Sequence, residues 1–193
     1  DKIIDSNGPF LTGLLSDWGF DVTDLGIVAD DTMAIEELIT QCDADIIVPV
    51  GGASVGDYDF TKAAFLQAGF KPVFDKVGVK PGKPVWLSHR EGQIALGLPG
   101  NPNSVFVCSH IFLSYLLGRK TRWDVRVLTD EIPANDARER YILAKWDVDG
   151  RVTPIPKRTG SAVSMAQANL LIRRMPMADH LSVGESVECF SLS

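Results

Sequence analysis

The chain has 193 residues, 45% of them hydrophobic, enough for one large domain or two unequal ones with real cores. Its 19 basic and 25 acidic residues leave a net charge of −6, spread along the chain, so it lacks the basic footprint of a nucleic-acid binder. No apolar run approaches the ~20 residues that cross a bilayer, and the opening residues lack the charged and apolar regions of a signal peptide; the separated Cys42, Cys108 and Cys189 fit buried, reduced thiols of a cytoplasmic protein.

Ser6 or Asn7 is placed to cap a first helix, whose apolar positions Phe10, Leu11, Leu14, Leu15 and Trp18 follow helical spacing up to Gly19. A strand is predicted over Val22 to Val28, then a helix capped by Thr32 and running through Gln41. Asp45 to Val50 is short and β-branched and ends in Gly51-Gly52, as a buried parallel strand would. A third helix is predicted at about 60–68, an extended stretch over 72–79, strands around 85–87 and 94–97, and a last helix at about 103–117. This alternation argues for a three-layer α/β domain with ligands beyond the carboxyl ends of its strands. After Gly118, short strand-like pieces at 125–128, 141–143, 152–155 and 187–192 are separated by turn residues and read as a small all-β domain. The predicted division is 1–120 and 121–193.

Three turns are placed where chemistry could occur. The first, 51–60, has glycines that let backbone amides turn toward an anion, and a helix N-terminus adds positive partial charge. A tight turn without a ligand is an equal reading of its spacing. Asp57 and Asp59 stand at the following helix start, where capping and Mg²⁺ binding are both open. Asp30-Asp31 likewise precedes a helix, and capping is the simpler account. The second turn, Val79-Lys80-Pro81-Gly82-Lys83-Pro84, is stiffened by proline and presents two point charges suited to an oxyanion, or is a solvated lysine loop. The third runs from Gly97 through Leu98, Pro99, Gly100, Asn101, Pro102 and Asn103 to Ser104. Its prolines fix its shape, and Ser104 with free amides at the helix start is expected to hydrogen-bond an anion. His89, His110 and His180 lack ligand-spaced partners, and Ser54 and Ser104 lack a His-acid partnership, which argues against a serine hydrolase.

The order GGASVGDYDF, KPGKP, GLPGNPNS, with IIDSN near the start, resembles the molybdopterin molybdenumtransferase family, which also includes the C-terminal enzyme domain of gephyrin. The resemblance covers nearly the whole chain. It implies a pterin-binding α/β domain followed by a C-terminal β domain, in which Gly160-Ser161 and Ala168-Asn169-Leu170 carry the likeness. It also implies molybdenum cofactor biosynthesis, in which molybdenum from molybdate is placed on adenylylated molybdopterin with release of AMP. Carried over residue by residue, the acids fall on Asp30 and Asp59, as Mg²⁺ holders, and the catalytic lysines on Lys80 and Lys83, with Asp59 acting beside them. Gly51, Gly52, Ser54 and Gly56 would line the pterin-phosphate pocket with Pro99, Gly100, Asn101, Pro102 and Ser104.

The family usually has Ser or Thr before the glycine pair, where this chain has Pro49-Val50, and that bears on one side-chain hydrogen bond to the ligand. Full-length relatives begin the α/β domain with a Thr-Gly-Asp-Glu strand behind two further domains. The chain is therefore expected to be an N-terminally truncated piece, inactive alone, of a cytoplasmic homodimer that meets the molybdopterin adenylyltransferase. The alternatives are the adenylyltransferase itself, a non-catalytic pterin-binding or dimerisation scaffold, and a nucleotide-processing enzyme on the same domain.

Overall fold

A computed structural model of the protein describes residues 4–52, 59–156 and 162–192. The chain divides into two compact units, Asp1–Val77 with Pro84–Val105, and Gly78–Lys83 with Phe106–Ser193.

The first unit opens with helix α1, Asn7–Asp17. The Ser6 side chain makes no capping bond; the Asp5 carboxylate accepts from the amides of Asn7 at 2.9 Å and Gly8 at 3.2 Å instead. Helix α2, Thr32–Gln41, is capped by Asp31, which accepts from the Ala34 amide at 2.9 Å, so Thr32 is the first helical residue and not the expected cap. No strand forms over Val22 to Val28. The Asp24 carboxylate accepts from the Gly26 amide at 2.8 Å, and Gly26 adopts a φ of +75°. That side-chain turn interrupts the extended run, and Leu25, Ile27 and Val28 stay exposed.

Four strands, β1 (Ile46–Ile47), β2 (Lys71–Phe74), β4 (Trp86–Arg90) and β5 (Gln93–Gly97), form the unit's sheet in the order β1-β5-β4-β2. Only β1 and β5 run parallel; the other pairs are antiparallel. Helix α3, Phe60–Gln67, follows the first glycine turn. Ile35 and Ile39 of α2 and Ala64 and Phe65 of α3 pack with Ile47, Phe70, Trp86 and Ala95 in one core. Phe65 meets Phe70 and Trp86 edge-on, with centroids at 4.9 and 5.1 Å, the favoured arrangement for aromatic quadrupoles. Burial of these side chains, at ~25 cal/mol per Å² of apolar surface, is what fixes α2 and α3 on the sheet.

The predicted last helix is one helical run in three parts: α4 (Pro102–Cys108), a π-helical turn (Ser109–Leu113) and α5 (Ser114–Leu116). Pro102 suits the first position, where its missing N–H has no helical partner to lose.

The second unit takes in that helical run from Phe106 onward and a short helix, α6 (Ala162–Gln167), beside the expected β-strands. Its strands are β3 (Val79–Lys80), β6 (Trp123–Val127), β7 (Glu139–Trp146), β8 (Val152–Pro154), β9 (Leu170–Arg174) and β10 (Ser186–Ser191). The order is β3-β7-β9-β10-β6, with β8 on β7. Leu128, Ile132, Ala144, Val152, Leu170, Ile172, Val187 and Cys189 form its core. Burial raises the Cys108 thiol to about 12 and Cys189 to about 11, so both are inert at neutral pH. Among the described residues, no helix is long and apolar enough to cross a membrane.

Candidate functional site

In the first unit, β1 and β5 end side by side. Beyond the ladder, Val50 and Leu98 form a parallel bridge, with Leu98 N–H donating to Pro49 O at 2.9 Å and Gly51 N–H to Leu98 O at 3.0 Å. The two strands therefore deliver the first and third turns to the same edge.

Only glycine fits there. Gly51 and Gly52 have φ values of +85° and +68°, and a Cβ on Gly52 would collide with the Thr61 side chain at the start of α3. A Cβ on Gly100 would lie 3.4 Å from the Gly51 Cα, so the two turns face each other through backbone alone. Pro99 is buried, which anchors the third turn. Asn7 Nδ2 donates to Gly100 O at 3.0 Å, so the first residue of α1 holds this turn as well, a role its sequence position as a helix start did not disclose.

Asn101 Oδ1 accepts from the amides of Asn103 at 3.0 Å and Ser104 at 3.4 Å. The amides expected to be open to an anion are thus taken by a helix cap, and what the turn presents is its glycine backbone and the Asn101 side chain, which is exposed. The Ser104 side chain is buried.

Asp59 caps α3, accepting from the Lys62 amide at 3.0 Å, while Lys62 Nζ lies 3.4 Å from Asp59 Oδ2. That second oxygen is buried and has no hydrogen-bond partner among the described residues. Its charge is met by the Lys62 ammonium, so a metal cation at this oxygen would have to displace that ammonium. Asp30 is exposed. No group of three or more His, Cys, Asp or Glu stands together among the described residues, so a cation here would take one or two carboxylates and complete its shell from ligand and water, the usual habit of Mg²⁺. Ser54, Gly56 and Asp57 lie outside the described residues.

The lysines belong to the second unit. Lys80 is half-buried and pairs with Asp136, Nζ to Oδ2 2.7 Å. Lys83 is exposed and makes no ion pair among the described residues. Lys80 and the Arg138 amide beside it hold the Asp136 carboxyl down at about 2. Its turn is stiff: Asn135 Nδ2 donates to the carbonyls of Arg138, Arg174 and Met175 at 2.8, 3.1 and 2.8 Å. His110 is buried, its Nδ1 2.8 Å from Phe106 O, and burial lowers its pKa; it is a core residue.

Facing glycine turns at the carboxyl ends of a parallel strand pair mark the edge at which an α/β domain takes its ligand. The chain belongs to the molybdopterin-binding domain family: residues 1–119 match the family described as "Probable molybdopterin binding domain", and residues 125–192 match the "MoeA C-terminal region (domain IV)". It is 32% identical over 188 residues to a molybdopterin molybdenumtransferase of Nostoc sp., covering 88% of this chain and 43% of that protein. It is 34% identical over 125 residues to the molybdenum cofactor synthesis protein cinnamon of Drosophila melanogaster, covering 64% and 21%. The chain thus spans less than half the length of these curated relatives. Among solved structures, a molybdopterin biosynthesis MoeA protein from Pyrococcus horikosii superposes with a TM-score of 0.85 at 24% identity, over 100% of this chain and 49% of that one. At that identity the likeness bears on the fold alone.

Proposed function

We propose that this chain is part of a molybdopterin molybdenumtransferase and acts in molybdenum cofactor biosynthesis, with residues 1–120 as the pterin-binding part and 121–193 as the appended β part. The observation that carries the reading is the pair of glycine turns, Gly51-Gly52 and Pro99 to Pro102, packed backbone to backbone at one sheet edge in a chain of this family. A pyranopterin phosphate fits such an edge, because unshielded peptide groups approach an anion more closely than any side chain would allow.

In this reading the pterin phosphate of adenylylated molybdopterin rests on Gly51 and Gly52, with Ser54 and Gly56, and against Gly100 and Asn101, while Pro99, Pro102 and Ser104 hold that turn in shape from beneath. Asp59, with Asp30, holds Mg²⁺, which when bound offsets charge on phosphate oxygens. Lys80 and Lys83 offset the charge of molybdate and of the transition state. Water attacks the phosphoanhydride, so that AMP leaves and the pterin keeps its phosphate; the two dithiolene thiols bond to molybdenum in place of one molybdate oxygen, which departs with their two protons as water. The whole protein works as a cytoplasmic homodimer and receives its substrate from the molybdopterin adenylyltransferase.

Lys83 is the sharper test of the two lysines, since it makes no ion pair among the described residues. Losing one oxyanion-stabilising cation typically costs ~3 kcal/mol, or roughly 100-fold in rate. The whole protein with Lys83→Ala is expected to insert molybdenum about 100-fold more slowly, measured as cofactor formed from adenylylated molybdopterin and molybdate. Insertion at the unaltered rate would remove the assignment.

A further inference from the structure

An anion held by backbone amides needs those amides turned toward it, and at the glycine edge of the first unit several are already taken. The Gly51 N–H donates to Leu98 O at 3.0 Å and the Leu98 N–H to Pro49 O at 2.9 Å, while the amides of Asn103 and Ser104 go to the Asn101 side chain. The Asn101 N–H is left without a partner among the described residues, and Asn101 is exposed. This amide shares its peptide unit with the Gly100 carbonyl, which accepts from Asn7 Nδ2 at 3.0 Å. In a trans peptide such as this one the carbonyl and the N–H point in opposite directions. With Gly100 O drawn toward α1, the Asn101 N–H is turned away from it.

The turn's own residues fix that choice weakly. Gly100 has no side chain to bias its torsions, and asparagine is among the side-chain-bearing residues that enter positive φ most readily. A peptide unit between the two turns over at little steric cost. Reversed, it would present the Gly100 oxygen where the N–H had been, and the partial negative charge of that oxygen would repel an anion. Asn7 opposes the reversal from a firm position. It is half-buried, its own N–H donates to Asp5 Oδ1 at 2.9 Å, and it begins a helix anchored by the buried Leu11.

We propose that Asn7 is a positioning residue for the pterin phosphate: its side-chain amide holds the Gly100–Asn101 peptide unit with the carbonyl toward α1, so that the Asn101 N–H, and not the Gly100 oxygen, meets the phosphate. The inference rests on the pterin-binding reading of the glycine edge and deepens it, naming one backbone donor and the distant side chain that aims it.

The test is equilibrium titration of molybdopterin, and separately of its dephosphorylated form, against the whole protein, unaltered and with Asn7→Ala or Asn7→Gln. Alanine favours a helix, so α1 is kept in the first variant. Asn7→Ala is expected to weaken molybdopterin binding about ten-fold, the worth of one hydrogen bond to a charged acceptor, and to leave binding of the dephosphorylated form nearly unchanged. Damage to the fold would weaken both ligands alike, so the difference between them isolates the phosphate. Asn7→Gln keeps an amide donor on a longer arm and should recover part of the lost affinity. In turnover, Asn7→Ala should raise KM for adenylylated molybdopterin by a similar factor with kcat little changed, because the hydrogen bond is made in ground state and transition state alike. A smaller folded fraction would instead lower kcat and leave KM where it was. An equal loss for the two ligands, no loss for molybdopterin, or no binding by the unaltered protein overturns the inference. Failure of the transferase reading has a different signature: a protein that binds molybdopterin, shows the phosphate-dependent loss in Asn7→Ala, and inserts no molybdenum.

Discussion

Asp136 shows how much a residue's surroundings add to its sequence. Within Asn135-Asp136-Ala137-Arg138 it is one acid of a polar turn, and nothing local connects it to Lys80, 56 positions earlier. The structure makes it that lysine's counterion and lowers its pKa to about 2, chiefly through the Lys80 hydrogen bond and then the Arg138 amide. The sign of the linkage follows. A carboxyl whose folded pKa lies below its unfolded value stabilises the fold above the unfolded value, near 4, and loses that contribution as the pH falls through about 2. Asp136→Asn should therefore lower the melting temperature at pH 7 and pH 5 by similar amounts, and the difference should shrink between pH 4 and pH 2. A difference that persisted undiminished at pH 2 would show that the ion pair is not its source. The three turns stood out in the sequence because glycine, proline and lysine are rare in such combinations. The partners that hold them, Asp136 and Asn7, were not legible, because each acts through a contact distant in sequence.

At the scale of elements, legibility followed local determinants. Helices α2 and α3 could be read because an Asp precedes each apolar repeat, and both acids cap in the structure. Val22 to Val28 has the composition of a strand, yet an Asp-x-Gly turn within it won over β propensity. Strand β9, Leu170–Arg174, was missed because its short apolar run ends in two arginines. Those arginines face opposite ways: Arg173 turns to Glu139 at 2.7 Å and lies 5.1 Å from the Trp123 ring centre, whereas Arg174 turns inward. Arg90 ties elements together without a sequence signal. Its guanidinium donates to Ala68 O at 3.0 Å and Ile39 O at 3.1 Å, the carbonyls at the ends of α3 and α2, and lies 4.8 Å from the Phe70 ring centre. Hydrogen bonds from a charged donor contribute about 1.5–3 kcal/mol each, and their loss would leave helix carbonyls unpaired. Arg90→Met is expected to cost about 2–4 kcal/mol in urea unfolding, with an unchanged slope; a loss below about 1 kcal/mol would mean that water replaces these bonds.

For the whole molecule, charge and proposed substrate have the same sign. The chain carries −6 at neutral pH, while adenylylated molybdopterin and molybdate are anions, so the distant field repels what the local cations must attract. The two effects separate by range. Screening reaches about 30 Å at 0.01 M salt and about 8 Å at 0.15 M. The repulsion summed over the surface is therefore strong in the first condition and largely removed in the second. Cations in contact with a bound anion, the part proposed for Lys80 and Lys83, keep most of their attraction at either ionic strength. Encounter should respond to the long-range part and dissociation to the contacts. The association rate of molybdate, measured by stopped flow, is thus expected to rise between 0.01 and 0.15 M salt, with a smaller change in its dissociation rate. A steep fall in association rate would mean that nearby basic residues, rather than the net charge, govern the potential an arriving anion meets. The lysine loop would then steer an arriving anion in addition to the charge-offsetting part proposed for it.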